Sequence, residues 1–129
     1  MGLYQSDLDY ALGIIIKMIE QCKKDNQFNW IMDSDHQLVQ NEFALNFIRN
    51  NKLQTRILDK FFIDKNNAAA WIIDFKLTLD PPNPSEHLVQ LTEYAKLINH
   101  LGILGGKPLR FGLYYPYQSY WWEQESICA

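Results

Sequence analysis

Apolar residues recur along the first stretch of the chain at Leu8, Leu12, Ile15, Ile16 and Ile19. Steps of three and four predict an amphipathic helix over about Gln5–Lys24, its stripe facing a core. Ser6 or Asp7 can cap its start, and Lys23 and Lys24 suit the negative end of its dipole. Asp25-Asn26-Gln27 breaks the helix, Phe28–Met32 reads as a short strand, and Asp33–His36 reads as a turn. The pattern then shifts to partial alternation. Phe43, Leu45 and Phe47 fall on one side of Glu42–Arg49, which predicts a strand. Asn50-Asn51 is a hairpin-type turn. A second strand follows over about Gln54–Ile63, and Asp64–Asn67 is the next turn. Ala69–Leu77 is almost continuously apolar and β-branched or aromatic, as a central strand would be.

Asp80-Pro81-Pro82-Asn83-Pro84 fits neither helix nor central strand, because proline removes backbone donors. Ser85 is placed to cap a helix whose stripe is Leu88, Leu91, Ala95, Ile98 and Leu101, and Gly102 stops it. Leu109–Tyr115 closes the series as a strand. Helix, three-strand meander, helix, strand is an α/β order with an antiparallel meander in a mixed sheet. No internal repeat or low-complexity linker divides it, so residues 1–129 read as one domain.

Composition narrows the picture. The chain has 129 residues, 47% hydrophobic and 21% charged, which suits a globular domain with its own core and excludes a disordered tail. A formal charge of −3 excludes a globally basic nucleic-acid wrapper but leaves room for a local basic groove. Two cysteines, Cys22 and Cys128, are too few for a four-thiolate metal site; one disulfide between them is an alternative to the plainer reading, two free thiols in a reducing cytosol. No stretch approaches the roughly 20 apolar residues of a membrane span, and the N-terminus lacks the pattern of a signal peptide.

The candidate chemistry lies in Trp71-Ile72-Ile73-Asp74-Phe75-Lys76. Asp74 and Lys76 are two apart on a strand and share a face. An ionised group in an otherwise apolar strand needs a partner or a metal. Asp59, on the preceding strand, comes out as an antiparallel partner or near neighbour of Asp74 across the hairpin. Two carboxylates that close repel unless a cation lies between them, and oxygen ligands favour Mg²⁺ or Mn²⁺. A salt-bridged Asp-x-Lys pair is the plainer account of the same residues.

Taken together, Leu58-Asp59-Lys60, Ile72-Ile73-Asp74-Phe75-Lys76 and Gln90-Leu91-Thr92-Glu93-Tyr94 resemble the motifs of the PD-(D/E)xK nucleases, and in particular their RecB-like branch. Asn41–Leu45, with Glu42, is similar to that branch's glutamate-bearing segment, and Leu113–Pro116 to its closing strand. The likeness runs from about Trp30 to Pro116. It implies a restriction-endonuclease-like core that hydrolyses DNA phosphodiester bonds with Mg²⁺ or Mn²⁺. Asp59 and Asp74 would be metal ligands, Glu42 an outer or third ligand, and Lys76 the residue that orients water or steadies charge. Gln90, Tyr94 and Lys60 would position the DNA strand. The resemblance further implies a helicase domain or subunit as partner and a place in the bacterial cytoplasm, at the nucleoid. A catalytically inactive DNA-guiding module of a helicase–nuclease is the alternative. Lys60 stands where the branch carries arginine, and Phe75 where it carries tyrosine. The branch's upstream metal-binding histidine has no clear counterpart: His36 lies in a turn, and His87 and His100 come later. The aromatic run from Tyr114 to Trp122 could stack bases or cover a core. Lys52, Arg56 and Lys60 could touch phosphates or line a solvated strand.

Overall fold

The computed structural model describes residues 5–125, and within 43–49 and 53–58 it describes the backbone alone. Helix α1 spans Gln5–Lys24, as the periodicity predicts, and α2 spans Asn26–Ile31. The second helix replaces the strand expected at Phe28–Met32. Asp25 does not simply end α1. Its carboxylate accepts the Gln27 N–H at 2.9 Å and caps α2, which satisfies one of the donors a new helix leaves open.

Strands β1 (Gln37–Arg49), β2 (Lys52–Ile63) and β3 (Ala70–Phe75) form the antiparallel meander. Asn50 and Asn51 join the first two with φ of 53° and 61°, the left-handed pair that a two-residue hairpin needs and asparagine tolerates. A 3₁₀ turn, Pro84–His87, leads into α3 (Leu88–Leu101). Ser85 does not cap this helix. Its hydroxyl donates to Asn83 Oδ1 at 2.8 Å, and α3 starts without a side-chain cap. Gly102 ends it at φ 69°, a conformation that glycine adopts without strain. The crossover returns the chain to β4 (Leu109–Tyr115), parallel to β3, and β5 (Tyr120–Glu125) pairs antiparallel with β4. The second half of the aromatic run therefore forms an edge strand that the alternation did not reveal.

The result is an α/β fold with a five-stranded mixed sheet, ordered β1-β2-β3-β4-β5, flanked by helices. Strand alternation divides the core in two. Phe61, Ile63, Ile72, Leu113 and Tyr115 face α3, where they meet Leu91, Tyr94, Ala95 and Ile98. Phe62, Trp71, Ile73 and Tyr114 face the other way, against Ile31 of α2 and Cys22 at the end of α1. With both faces covered, β3 is buried from Ala70 to Ile73, which is why its sequence is continuously apolar rather than alternating. Gly112 is fixed by the same packing. A Cβ there would overlap Trp121 Cη2 and come within 2.9 Å of Ile73 Cδ1.

The α1 stripe does not behave as its periodicity predicts. Leu8, Leu12, Ile15, Ile16 and Ile19 all stay exposed, and Cys22 is the helix's one buried residue among those described. Ile14 and Met18 are half-buried and, with Cys22, form the line that touches the domain. That line is rotated by about 100°, one residue, from the most apolar stripe. Cys22 is a free thiol, and Cys128 lies outside the described residues. No helix among these residues is long and apolar enough to cross a membrane.

Candidate active site

The β2–β3 register carries Asp59 to the position opposite Asp74, one step beyond the Lys60–Ile73 pair. Both project on the α3 side of the sheet, where β3 leaves the buried layer and Asp74, Phe75 and Lys76 become half-buried. The Asp59 carboxyl stands near enough to that of Asp74 for each to act on the other's charge, and its Oδ2 accepts the Phe75 N–H at 2.8 Å. Lys76, two residues beyond Asp74 as the shared-face argument requires, places Nζ 2.5 Å from Asp74 Oδ2. Its backbone N–H continues the parallel ladder to the Tyr114 carbonyl at 2.9 Å. The three residues thus form one cluster, and rigid strand backbone sets its geometry.

The electrostatics of the cluster are asymmetric. Asp74 has the lysine. Asp59, partly withdrawn from water and facing the Asp74 carboxyl, is pushed up to about 6. Burial is the larger cause and the neighbouring carboxylate the second; the Phe75 N–H and the Lys76 charge oppose them. A cation between the carboxylates would remove this penalty. Among the described residues no group of three or more His, Cys, Asp or Glu could hold a metal. Two carboxylates with the remaining positions left to water is a donor set that Mg²⁺ accepts, since it dehydrates reluctantly and commonly uses one or two protein carboxylates.

A cavity of about 270 Å³ opens beside Lys76. Thr78, Asn83, Glu86, His87 and Tyr115 contribute to its walls. His87 Nε2 lies 3.2 Å from Glu86 Oε1, and burial, followed by the Lys76 charge, lowers its pKa. The Tyr115 hydroxyl sits beside the Asn83 backbone N–H yet makes no hydrogen bond of good geometry, and burial raises its pKa. Sequence reasoning left Tyr115 unassigned. Its period-two position on β4, in phase with Leu113, was the signal that it faces the same side of the sheet as Asp74.

Other expected site residues divide. Gln90 Nε2 donates to the Tyr94 hydroxyl at 2.8 Å across one turn of α3. Tyr94 is buried in the α3–sheet core, on the same face of the sheet as the two aspartates. Glu42 stands opposite Asp59 in the β1–β2 register, between the Asn41–Lys60 and Phe43–Leu58 pairs. Its backbone is left-handed at φ 52° and the residue is exposed. The charges acting on Asp59 are those of Asp74 and Lys76, so Glu42 does not join the cluster. Lys60 does not lie where a residue that positions DNA would be expected. Alternation turns it to the face opposite Asp59, where it is only 5% exposed and donates to Asn41 Oδ1 at 3.0 Å. Burial lowers its pKa, and it is not presented to a DNA strand. Lys52 is exposed, and the Arg56 side chain lies outside the described residues.

His36 has a structural role. Its Nδ1 accepts the Lys65 N–H at 3.0 Å, its Nε2 donates to the Trp30 carbonyl at 2.6 Å, and its ring stacks on Phe62 with centroids 4.0 Å apart. It lies in the other half of the core from the aspartates.

No family model matches the chain, and no curated protein matches its sequence. A solved structure described as "Crystal structure of SSO0001" is similar at 13% identity with a TM-score of 0.43, covering 94% of this chain and 54% of that one. The chain spans about half the length of that structure.

Proposed function

We propose that this chain is a metal-dependent deoxyribonuclease domain of the RecB-like PD-(D/E)xK type. The observation that carries the reading is the convergence of Asp59, Asp74 and Lys76 at the open end of β3, in a helix–meander–helix–strand fold. Asp59 and Asp74 would hold Mg²⁺ or Mn²⁺, which would polarise the scissile phosphate and lower the pKa of an attacking water. Lys76 is close enough to share charge between Asp74 and a phosphate oxygen. The cavity beyond Lys76 gives the strand a place next to the cluster, with the Gln90–Tyr94 pair on the same side of the sheet. The core would then be restriction-endonuclease-like, the substrate DNA, and the partner a helicase domain or subunit, with the protein working at the bacterial nucleoid.

A second reading, a non-catalytic DNA-guiding module, has its own support. Both nitrogens of His36 are committed to the backbone, and Asp74 and Lys76 satisfy one another directly. Incubating the chain with 5′- and 3′-labelled single- and double-stranded DNA, with Mg²⁺, Mn²⁺ or EDTA, separates the two. The nuclease reading requires cleavage that needs metal and disappears in Asp74→Asn. Inert wild type with either metal on all substrates supports the guiding module.

A further inference from the structure

The cavity beside Lys76 carries chemistry that the metal cluster does not use. Its volume of about 270 Å³ falls at the lower edge of the roughly 300–1,000 Å³ of small-ligand sites, room for one ring system and a few polar contacts. Hydrogen bonds from outside hold its shape. Gln118 Nε2 donates to the Thr78 carbonyl at 2.9 Å and to the Asp80 carbonyl at 2.8 Å, which ties the loop beyond β3 to the β4–β5 turn. Leu77, Pro81 and Tyr115 give the walls apolar surface. Tyr115 is 1% exposed, yet its hydroxyl finds no hydrogen-bond partner of good geometry in the protein. A buried hydroxyl left without a partner costs stability and calls for a reason.

The charges around the cavity argue against a phosphate inside it. Asp80 and Glu86 bring two carboxylates to its walls. Lys76, the one lysine there, is already on Asp74 Oδ2 at 2.5 Å. His87 is paired with Glu86, and burial, then the Lys76 charge, favours its neutral form. An anion seated here would face the carboxylates with no uncommitted cation among the lining residues. A neutral ring that carries amino hydrogens would find acceptors instead. A carboxylate accepts from the N4 amino group of cytosine, whereas thymine presents the O4 oxygen at the same place and is repelled. With the scissile phosphate at Lys76 and the metal, the adjoining nucleoside comes to the mouth of this cavity. We infer that the cavity is a nucleobase subsite, which takes the base next to the cleaved bond and prefers one with an exocyclic amino group, cytosine over thymine. The inference rests on the nuclease reading for the strand that delivers the base.

Binding of free nucleosides to the whole, isotope-labelled chain in EDTA, followed by the shifts of its backbone amide signals, is the test. Deoxycytidine and thymidine carry no phosphate, and EDTA removes any metal, so neither the cation site nor cleavage enters. Deoxycytidine is expected to shift the Thr78, Asn83 and His87 signals saturably at up to about 20 mM, and thymidine to bind about fivefold more weakly. The double variant Asp80→Asn/Glu86→Gln should lose that preference. Tyr115→Phe should bind deoxycytidine more weakly yet melt no lower than wild type, because the hydroxyl it removes has no partner in the free protein. The inference is overturned if deoxycytidine leaves the cavity signals unmoved, if the two nucleosides bind alike, if the double variant keeps the preference, or if Tyr115→Phe binds as wild type does. A chain that cleaves DNA with metal yet fails these tests loses the base subsite and keeps the nuclease reading. One that binds deoxycytidine as described and never cleaves keeps the subsite and loses the nuclease.

Discussion

Replacing Asp59 with asparagine should make the metal-free protein more stable, and the gain should depend on pH. The Asp59 carboxyl is held at about 6 against an ordinary 3.8. The folded state therefore binds this proton more tightly than the unfolded state does. The group costs nothing below about pH 4, its cost grows as pH rises towards 6, and it is fully present above that. A displacement from 3.8 to about 6 corresponds to about 3 kcal/mol at about 1.4 kcal/mol per pH unit. Asp59 is only half withdrawn from water, so screening reduces the cost to about 1–2 kcal/mol. Asparagine keeps an oxygen to accept the Phe75 N–H and leaves the Lys76–Asp74 pair in place. Urea unfolding followed by tryptophan fluorescence, in EDTA at pH 4, 6 and 8, measures the difference. Asp59→Asn should exceed wild type by about 1–2 kcal/mol at pH 8 and by well under 1 kcal/mol at pH 4. A variant less stable than wild type at pH 8, or a difference that does not change with pH, would refute the reasoning.

Three further substitutions probe the fold around the site. Gly112→Val should cost about 1–3 kcal/mol in urea unfolding, because its side chain must displace the Trp121 ring and crowd Ile73. His36→Ala should cost about 2–4 kcal/mol through two lost hydrogen bonds and the lost stack on Phe62, while leaving the response to Mn²⁺ unchanged in a thermal melt. Lys60→Met, which replaces a buried ammonium that donates to Asn41, should leave the salt dependence of DNA binding in a filter-binding assay the same as in wild type; a fall of about one in the slope would mean that Lys60 does neutralise a phosphate.

Much of this architecture was legible because local pattern and tertiary environment agreed. Ala70–Ile73 is apolar at every position and lies in the middle of the sheet. Leu91, Ala95 and Ile98 keep helical spacing and pack on it. Gly102 ends α3 where a left-handed residue was needed. The pairing of Asp59 with Asp74 followed from hairpin register alone. Failures came where the environment decided. Phe28–Met32 is too short for periodicity to separate a helical turn from a strand, and the Asp25 cap settles it. The most apolar stripe of α1 is not the side that the domain covers: about 100°, one residue step, separates it from the inner face built on Ile14, Met18 and Cys22. Lys60 sits beside Asp59 in sequence, but period-two alternation sends the two side chains to opposite faces. Tyr115 carried no polar signal, since a tyrosine in an aromatic run looks the same whether its ring closes a core or a cavity.

The central claim is that Asp59 and Asp74 form a divalent-cation site. Mn²⁺ binding, measured by electron paramagnetic resonance of the free ion during titration at pH 7.5, tests it most directly and does not depend on catalytic activity. The account predicts one bound ion per chain for the wild type, with affinity falling as pH is lowered below 6 because Asp59 must give up its proton to coordinate, and no site in the Asp59→Asn/Asp74→Asn double variant. A wild type that leaves millimolar Mn²⁺ free, or a double variant that binds as well as wild type, would contradict it.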